Sequence, residues 1–198
     1  EIRVMANEMP DSDEYDKKQI YPVIRYRILR NLSSLYIGWY LLKLIIKRKP
    51  DILFMGHETA TRGLAVLLFH CFFRIPYVVL IHAGHLPIAN VSKINKIATY
   101  TLLRNANLLL ANSSFTRQLL IERGFRDEKI RILTPGVDTD FFFPSNNETA
   151  IKKIRTEYAA DGIPLILNVG RLVPKKNQVL IIKAIAKLRE QGLSVKCI

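Results

Sequence analysis

Polar and apolar positions fall into two alternating patterns along the chain. Short, mostly apolar runs, DILFM at 51–55, PYVVLI at 76–81, LLLA at 108–111 and IRIL at 130–133, predict strands. Between them, residues 28–49, 61–73 and 91–105 carry the spacing of amphipathic helices, and Pro50 ends the first of these. A fourth helix is predicted from Ser113, whose hydroxyl suits an N-cap, to Gly124, which suits a C-terminal stop. Apolar strands that alternate with helices mark a parallel sheet covered on both faces. A short strand is predicted at 2–5, and the polar, acidic stretch 7–18 reads as a loop.

The segment FFFPSNNETA, 141–150, interrupts this rhythm with Pro, Ser and two Asn after an aromatic cluster, as a linker does. A second unit then begins, with a helix predicted at 151–158, a strand at 165–169, a helix at 178–191 and a strand at 194–198. The expected organisation is α/β, with one nearly complete parallel-sheet domain over 1–144 and the beginning of another over 145–198. The chain starts and stops within strand-like runs, EIRVMAN and LSVKCI, so it reads as an internal piece of a longer protein.

Charge sharpens the picture. The net charge is +13, and it is unevenly spread. Residues 17–50 hold nine Lys/Arg and no acid, and from Ile52 to Ile121 the only acid is Glu58. Such a balance suits an anionic partner: a nucleic acid, a membrane surface or a phosphorylated ligand. A plain solvated basic surface fits charge alone equally well. The apolar stretches 32–46 and 64–81 do not predict a membrane span, the first being short and carrying Lys43, the second being interrupted by Arg74 and Pro76. Cys71 and Cys197 form no CxxC motif and read as reduced core residues of a cytosolic protein.

In open parallel sheets, ligands bind beyond the carboxyl ends of the strands, so candidate chemistry is sought at each strand exit. The strand predicted at 165–169 is followed by Gly170, Arg171, Pro174, Lys175, Lys176 and Asn177. Glycine permits a tight turn, arginine offers a planar fork of donors to phosphate oxygens, and lysine adds a point charge. With the N–H groups of the next helix they can cradle a diphosphate. Neither GxxxxGK[ST] nor GxGxxG is present, which disfavours a Walker-type NTPase and a dinucleotide dehydrogenase. The plainer alternative is a set of solvated surface cations.

His82 follows the strand 76–81 beside Gly84, placed to donate to a ligand or to move a proton. A packed or surface histidine is the alternative, and a zinc reading of His82 and His85 lacks a nearby third ligand. His57, Glu58, Thr59 and Thr61 follow the strand 51–55, a loop suited to substrate hydroxyls, while His70 reads as packing within its helix. Gly136 and Asp138 follow the strand 130–133, where Asp138 either caps a turn or faces an interdomain cleft. No GxSxG nucleophile elbow is present.

Five segments, PDILFMGHETATRG, RIPYVVLIHAGH, ANLLLANSSFTRQLL, IRILTPGVDTDFF and LILNVGRLVPKKN, together resemble glycosyltransferase family 4 in order and spacing. The resemblance covers nearly the whole chain, and GRLVPKKN is its most specific part. It implies a GT-B fold of two Rossmann-like domains facing a cleft, and a retaining enzyme that uses a UDP- or GDP-sugar. It also implies that Arg171 and Lys176 hold the donor diphosphate with no metal or other cofactor, and that His82 positions or acts on the donor sugar. Gly136, Asp138 and Gly170 would line the cleft, and Glu58, Thr59, Thr61 and Arg62 would form an acceptor loop. Asn177 stands where many relatives have glycine. A glycine-rich loop is expected before Glu1 and an E-x7-E element after Ile198, so the piece alone is expected to be inactive. The acceptor implied is a glycan or a lipid-linked saccharide in cell-envelope polysaccharide or glycolipid synthesis, handled in the cytoplasm or at the inner face of the plasma membrane. Tyr21, Tyr26, Tyr36, Trp39 and Tyr40 among the cations of 17–49 suit an anionic bilayer surface. Two other readings are a non-hydrolysing sugar-nucleotide 2-epimerase and a non-enzymatic basic module for membrane or RNA. No RRM or KH signature is present, and no nucleic-acid partner is expected.

Overall fold

The run YVVLI forms the central strand β4 (Tyr77–Ile81), in which Tyr77, Val79 and Ile81 have no exposed surface. Each such side chain contributes about 1.5–3 kcal/mol relative to leaving it in water, which is why this strand anchors the domain. The structure, a computed structural model, describes residues 1–26, 33–47, 49–57, 60–82, 92–158 and 162–198, with residues 7, 33, 34, 60–62 and 175 described by their backbone only.

β4 pairs in parallel with β3 (Leu53–Met55) on one side and with β5 (Leu108–Ala111) on the other, and β5 in turn with β6 (Ile130–Ile132). In register, Leu53 lies opposite Tyr77, Val78 opposite Leu108 and Leu109 opposite Ile130. Three helices link these strands: α3 (Ala60–Phe73), α4 (Lys93–Asn105) and α5 (Ser114–Glu122). The core joins Val66 of α3, Leu102 and Leu103 of α4, and Leu120 of α5 to Met55, Val79, Leu109 and Ile130 of the strands. Burial is less even than full coverage of both faces would give. Phe54 of β3 and Ile132 of β6 are largely exposed, while their strand neighbours Met55 and Ile130 are buried.

Tyr77 carries its polar end into this core by donating from its hydroxyl to the Leu102 carbonyl. Burial pushes its phenol well above the ordinary range, the Cys71 thiol adding to the effect, so the hydroxyl stays a donor. His70 of α3 sets its ring edge-on to Tyr77 at 5.1 Å and places Nδ1 2.9 Å from the Ile75 carbonyl, which is the packing role expected of it. Cys71 and Cys197 are both free and both exposed, not core residues. Cys71 shares the outward face of α3 with Leu64, Leu68 and Phe72, so apolar neighbours along the sequence do not signal burial here.

Before this sheet come β1 (Val4–Asn7) and β2 (Val23–Tyr26), a parallel pair of their own. The stretch expected to be a loop holds a short helix, α1 (Ser12–Asp16), and β2 has no counterpart in the sequence reading. Both follow from contacts distant in sequence: Arg25 of β2 grips Asp16 bidentately, Nε to Oδ2 at 2.8 Å and Nη2 to Oδ1 at 2.5 Å, so strand and helix hold each other. Helix α2 (Ser33–Lys47) seats Ile37 and Leu41 against Tyr26 and Ala65, with Met5 and Leu53 packed alongside. No described helix is long and apolar enough to cross a membrane.

The chain divides into two compact units, Glu1–Gly136 and Val137–Ile198, so Phe141–Phe143 group with the second. In that unit Asn147 caps α6 (Glu148–Glu157) through the Ala150 N–H. Strands β7 (Leu165–Ile166) and β8 (Lys196–Cys197) pair in parallel over two residues each, shorter than the apolar runs that contain them. Helix α7 (Gln178–Glu190) joins them and closes at Gly192, whose φ of 79° lets the Leu193 N–H reach back to the Leu188 carbonyl.

Candidate functional site

Parallel strands deliver their carboxyl ends to one edge of a sheet, and polar residues collect there in the first unit. His82 follows Ile81 of β4 directly, Asn112 follows Ala111 of β5 directly, and His57 comes shortly after Met55 of β3. The His57 and His82 rings stand 6.1 Å apart, and the Asn112 N–H donates to the Ile81 carbonyl at 3.2 Å, extending the ladder by one residue. The Asn112 side chain is fixed from below. Its Oδ1 accepts from the hydroxyl of Thr116, which has no exposed surface, at 2.6 Å. Ser113 accepts the Thr116 N–H at 3.2 Å as the cap of α5, as the sequence predicts, and its hydroxyl lies 3.0 Å from Thr116 Oγ1. Nδ2 of Asn112 thereby faces Nδ1 of His82 at 3.4 Å. The strand-exit rule applied to β5 points at Asn112 as much as that rule applied to β4 points at His82.

Glu58 and Thr59 of the expected acceptor loop lie outside the described residues, and so do the side chains of Thr61 and Arg62, whose backbone opens α3. Asp138 caps a turn: its Oδ1 accepts from the N–H groups of Asp140 at 3.0 Å and Phe141 at 3.1 Å, while its carbonyl accepts from Phe142 at 2.8 Å. At Gly136 neither a left-handed φ nor a close neighbour demands a glycine.

In the second unit the chain leaves β7 and folds 170–177 into a compact knuckle before α7. The Arg171 carbonyl accepts from the Val173 N–H at 2.9 Å and from Gln178 Nε2 at 2.8 Å, and residues 174–176 make one turn of 3₁₀ helix. Lys176 lays its aliphatic stem by Gly170, with Cγ 3.8 Å and Cδ 3.9 Å from where a Cβ would stand. Both cations are exposed, and among the described residues neither forms an ion pair. Asn177 sits in the left-handed region, φ 48° and ψ 45°, makes no side-chain capping bond and is followed by no acid in the first turn of α7. Asparagine and glycine tolerate this conformation best, so a glycine-for-asparagine exchange at this position preserves the backbone path. Two cations thus stand at a helix start that lacks its usual acidic complement, an arrangement able to take a dianionic phosphate group.

Over residues 1–141 the chain matches the model of Glycosyltransferase Family 4. It is 25% identical over 194 residues to a GDP-mannose-dependent alpha-(1-6)-phosphatidylinositol monomannoside mannosyltransferase of Mycolicibacterium smegmatis, covering 96% of this chain and 50% of the relative. A glycosyltransferase structure from Rickettsia africae superposes with a TM-score of 0.72 at 19% identity, covering 98% of this chain and 50% of that one. Anabaena HepE in complex with UDP and glucose superposes with a TM-score of 0.69 at 21% identity, covering 93% and 49%. The chain spans about half the length of these proteins. With the parallel α/β units and the family match over most of its residues, it has the fold of the GT-B enzymes and belongs to glycosyltransferase family 4.

Proposed function

We propose that the full-length protein transfers a sugar with retention from a nucleotide-diphosphate sugar to a glycan or lipid-linked acceptor, and that this chain contributes the diphosphate cradle and His82. The observation that carries the reading is the 170–177 knuckle, where Lys176 is braced over Gly170 and Arg171 is anchored through its own carbonyl. The relatives agree in kind: one is a GDP-mannose-dependent mannosyltransferase, and another is seen with UDP and glucose. As the glycosidic bond breaks, negative charge grows on the departing nucleoside diphosphate. Preplaced cations stabilise that charge without reorganising, and two of them do the work a metal ion would do elsewhere, so no metal or other cofactor is assigned. His82 is the first unit's residue for the donor sugar. The acceptor loop at 58–62 and cleft roles for Gly136, Asp138 and Gly170 belong to the same proposal.

The test is donor kinetics in the full-length enzyme. Arg171→Ala and Lys176→Ala should each lower kcat/KM about 10²–10³-fold, the loss typical of one preorganised charge-stabilising donor. Unchanged turnover in both variants rejects the assignment, and isomerised donor formed with no acceptor present would point to an epimerase instead.

The same proposal places the protein on the cytoplasmic face of an anionic membrane, through α2. Opposite its core side, α2 exposes Leu35, Trp39, Leu42 and Ile46 in a 4-3-4 spacing, with Lys43 Nζ 3.6 Å from the Trp39 ring centre and Lys47 in the last turn. A helix apolar on both faces and basic at its flank suits the headgroup boundary of an acidic bilayer. Sedimentation with phosphatidylglycerol vesicles should carry the protein down, and Trp39→Glu should abolish this. Equal, negligible binding to acidic and neutral vesicles would remove the membrane from the reading.

A further inference from the structure

We infer that Asn112 is a positioning residue for His82, holding its imidazole as the tautomer with the proton on Nε2. The network is anchored at its buried end. Thr116 has no exposed surface, and its hydroxyl lies 2.6 Å from Asn112 Oδ1. Ser113 Oγ accepts the backbone N–H of Thr116 at 3.2 Å and lies 3.0 Å from Thr116 Oγ1. Both hydroxyls approach Asn112 Oδ1, Thr116 at 2.6 Å and Ser113 at 3.4 Å. At 2.6 Å the Thr116 contact has the length of an O–H···O bond and is shorter than N–H···O bonds run, so the atom that faces the Thr116 hydroxyl is the amide oxygen. The amide is thereby oriented, and the group that it turns toward His82 Nδ1, 3.4 Å away, is a donor. A donor facing Nδ1 requires that nitrogen to be the lone-pair nitrogen, and the imidazole proton then resides on Nε2.

The chemical consequence rests on the proposed glycosyl transfer. A histidine locked in this form presents an N–H to a ligand oxygen, and its basic nitrogen is occupied by the asparagine. His82 then acts as a hydrogen-bond donor that fixes the donor sugar, not as a general base. Asn112 itself touches no reacting atom and works through His82. Its place in the chain explains the precision: it is the first residue past β5, with its N–H tied to the Ile81 carbonyl one residue before His82. The pair is set by the register of β4 with β5, in which Ile81 lies opposite Ala111.

Long-range ¹H–¹⁵N correlation of the histidine rings tests the tautomer directly, because the sequence holds only four histidines. At pH 8, where an ordinary imidazole is neutral, the His82 signals (assigned by their loss in His82→Gln) should show a bare Nδ1 and a protonated Nε2. A protonated Nδ1, or averaged shifts from two exchanging tautomers, would overturn the inference. Asn112→Asp keeps the acceptor for Thr116 and Ser113 but turns an oxygen toward His82, so the pattern should invert to a protonated Nδ1. An unchanged pattern would show that Asn112 does not control the ring. In the full-length enzyme Asn112→Asp should lower kcat about 10–100-fold, as loss of the partner that orients a metal-ligating histidine does in metalloenzymes, with donor KM changed less than threefold. A kcat within twofold of the unaltered enzyme refutes the positioning role. If the unaltered full-length protein transfers no sugar from any UDP- or GDP-sugar, the proposed function fails while the tautomer stands or falls on the ring spectra alone.

Discussion

Replacing Gly63 by alanine sets two effects against each other, and the structure decides the sign. Gly63 lies in α3, where alanine is intrinsically favoured over glycine by about 0.8–1.0 kcal/mol. A Cβ built there would stand 2.3 Å from Leu102 Cδ2, 3.1 Å from Cγ and 3.2 Å from Cδ1. Ordinary carbon contacts lie at about 3.5–4.0 Å, so the nearest approach is short by more than 1 Å. Leu102 cannot swing clear, since it is 1% exposed and packed within the core with its carbonyl held by Tyr77. Overpacking of this kind costs about 1–3 kcal/mol. Subtracting the helix gain leaves a net loss of about 1 kcal/mol, up to about 2 if α3 and α4 must separate. At a urea slope of about 1.5 kcal/mol/M the unfolding midpoint should fall by about 0.7–1.3 M. Trp39, the single tryptophan, lies on α2, which packs against α3, so its fluorescence reports this unit. In a Leu102→Ala background the same Gly63→Ala change should become neutral or stabilising, because the obstructing atoms are gone. A raised midpoint in the parent protein, or the same loss in both backgrounds, would refute the packing argument.

Two further outcomes follow from local geometry. The Arg25 guanidinium, hydrogen-bonded to Asp16, holds that carboxyl below the ordinary carboxylate range. The stability this contributes is therefore present in full above about pH 5 and is lost as the pH falls through the lowered folded value. Urea midpoints of the parent and Asp16→Asn should converge over that acidic window, and a gap that stays constant down to pH 2 would contradict the linkage. Asn177, with φ 48°, should accept glycine with a stability change within about 0.5 kcal/mol, while Asn177→Val should cost about 1–2 kcal/mol in the second unit. Equal unfolding midpoints for the glycine and valine variants would show that the left-handed backbone at 177 is not a constraint.

The α/β class, the order of strands and helices from β3 to β6, the cap at Ser113 and the glycine turn that opens the 170–177 knuckle are written in the local pattern of residues. These are legible because apolar runs, caps and glycine turns act within a few residues of themselves. His82 was visible for the same reason, standing at the end of a strand that the sequence marks clearly. The fold alone brings Asn112 to His82, since the pairing of β4 with β5 joins residues thirty positions apart. It also decided that α1 and β2 form, through Arg25 and Asp16 and the pairing of β2 with β1. It turned the apolar stripe of Leu35, Trp39, Leu42 and Ile46 outward and left Cys71 exposed, because α2 and α3 carry apolar residues on more than one face. Hydropathy identifies which residues can be buried. The neighbours that arrive from elsewhere in the chain decide which of them are.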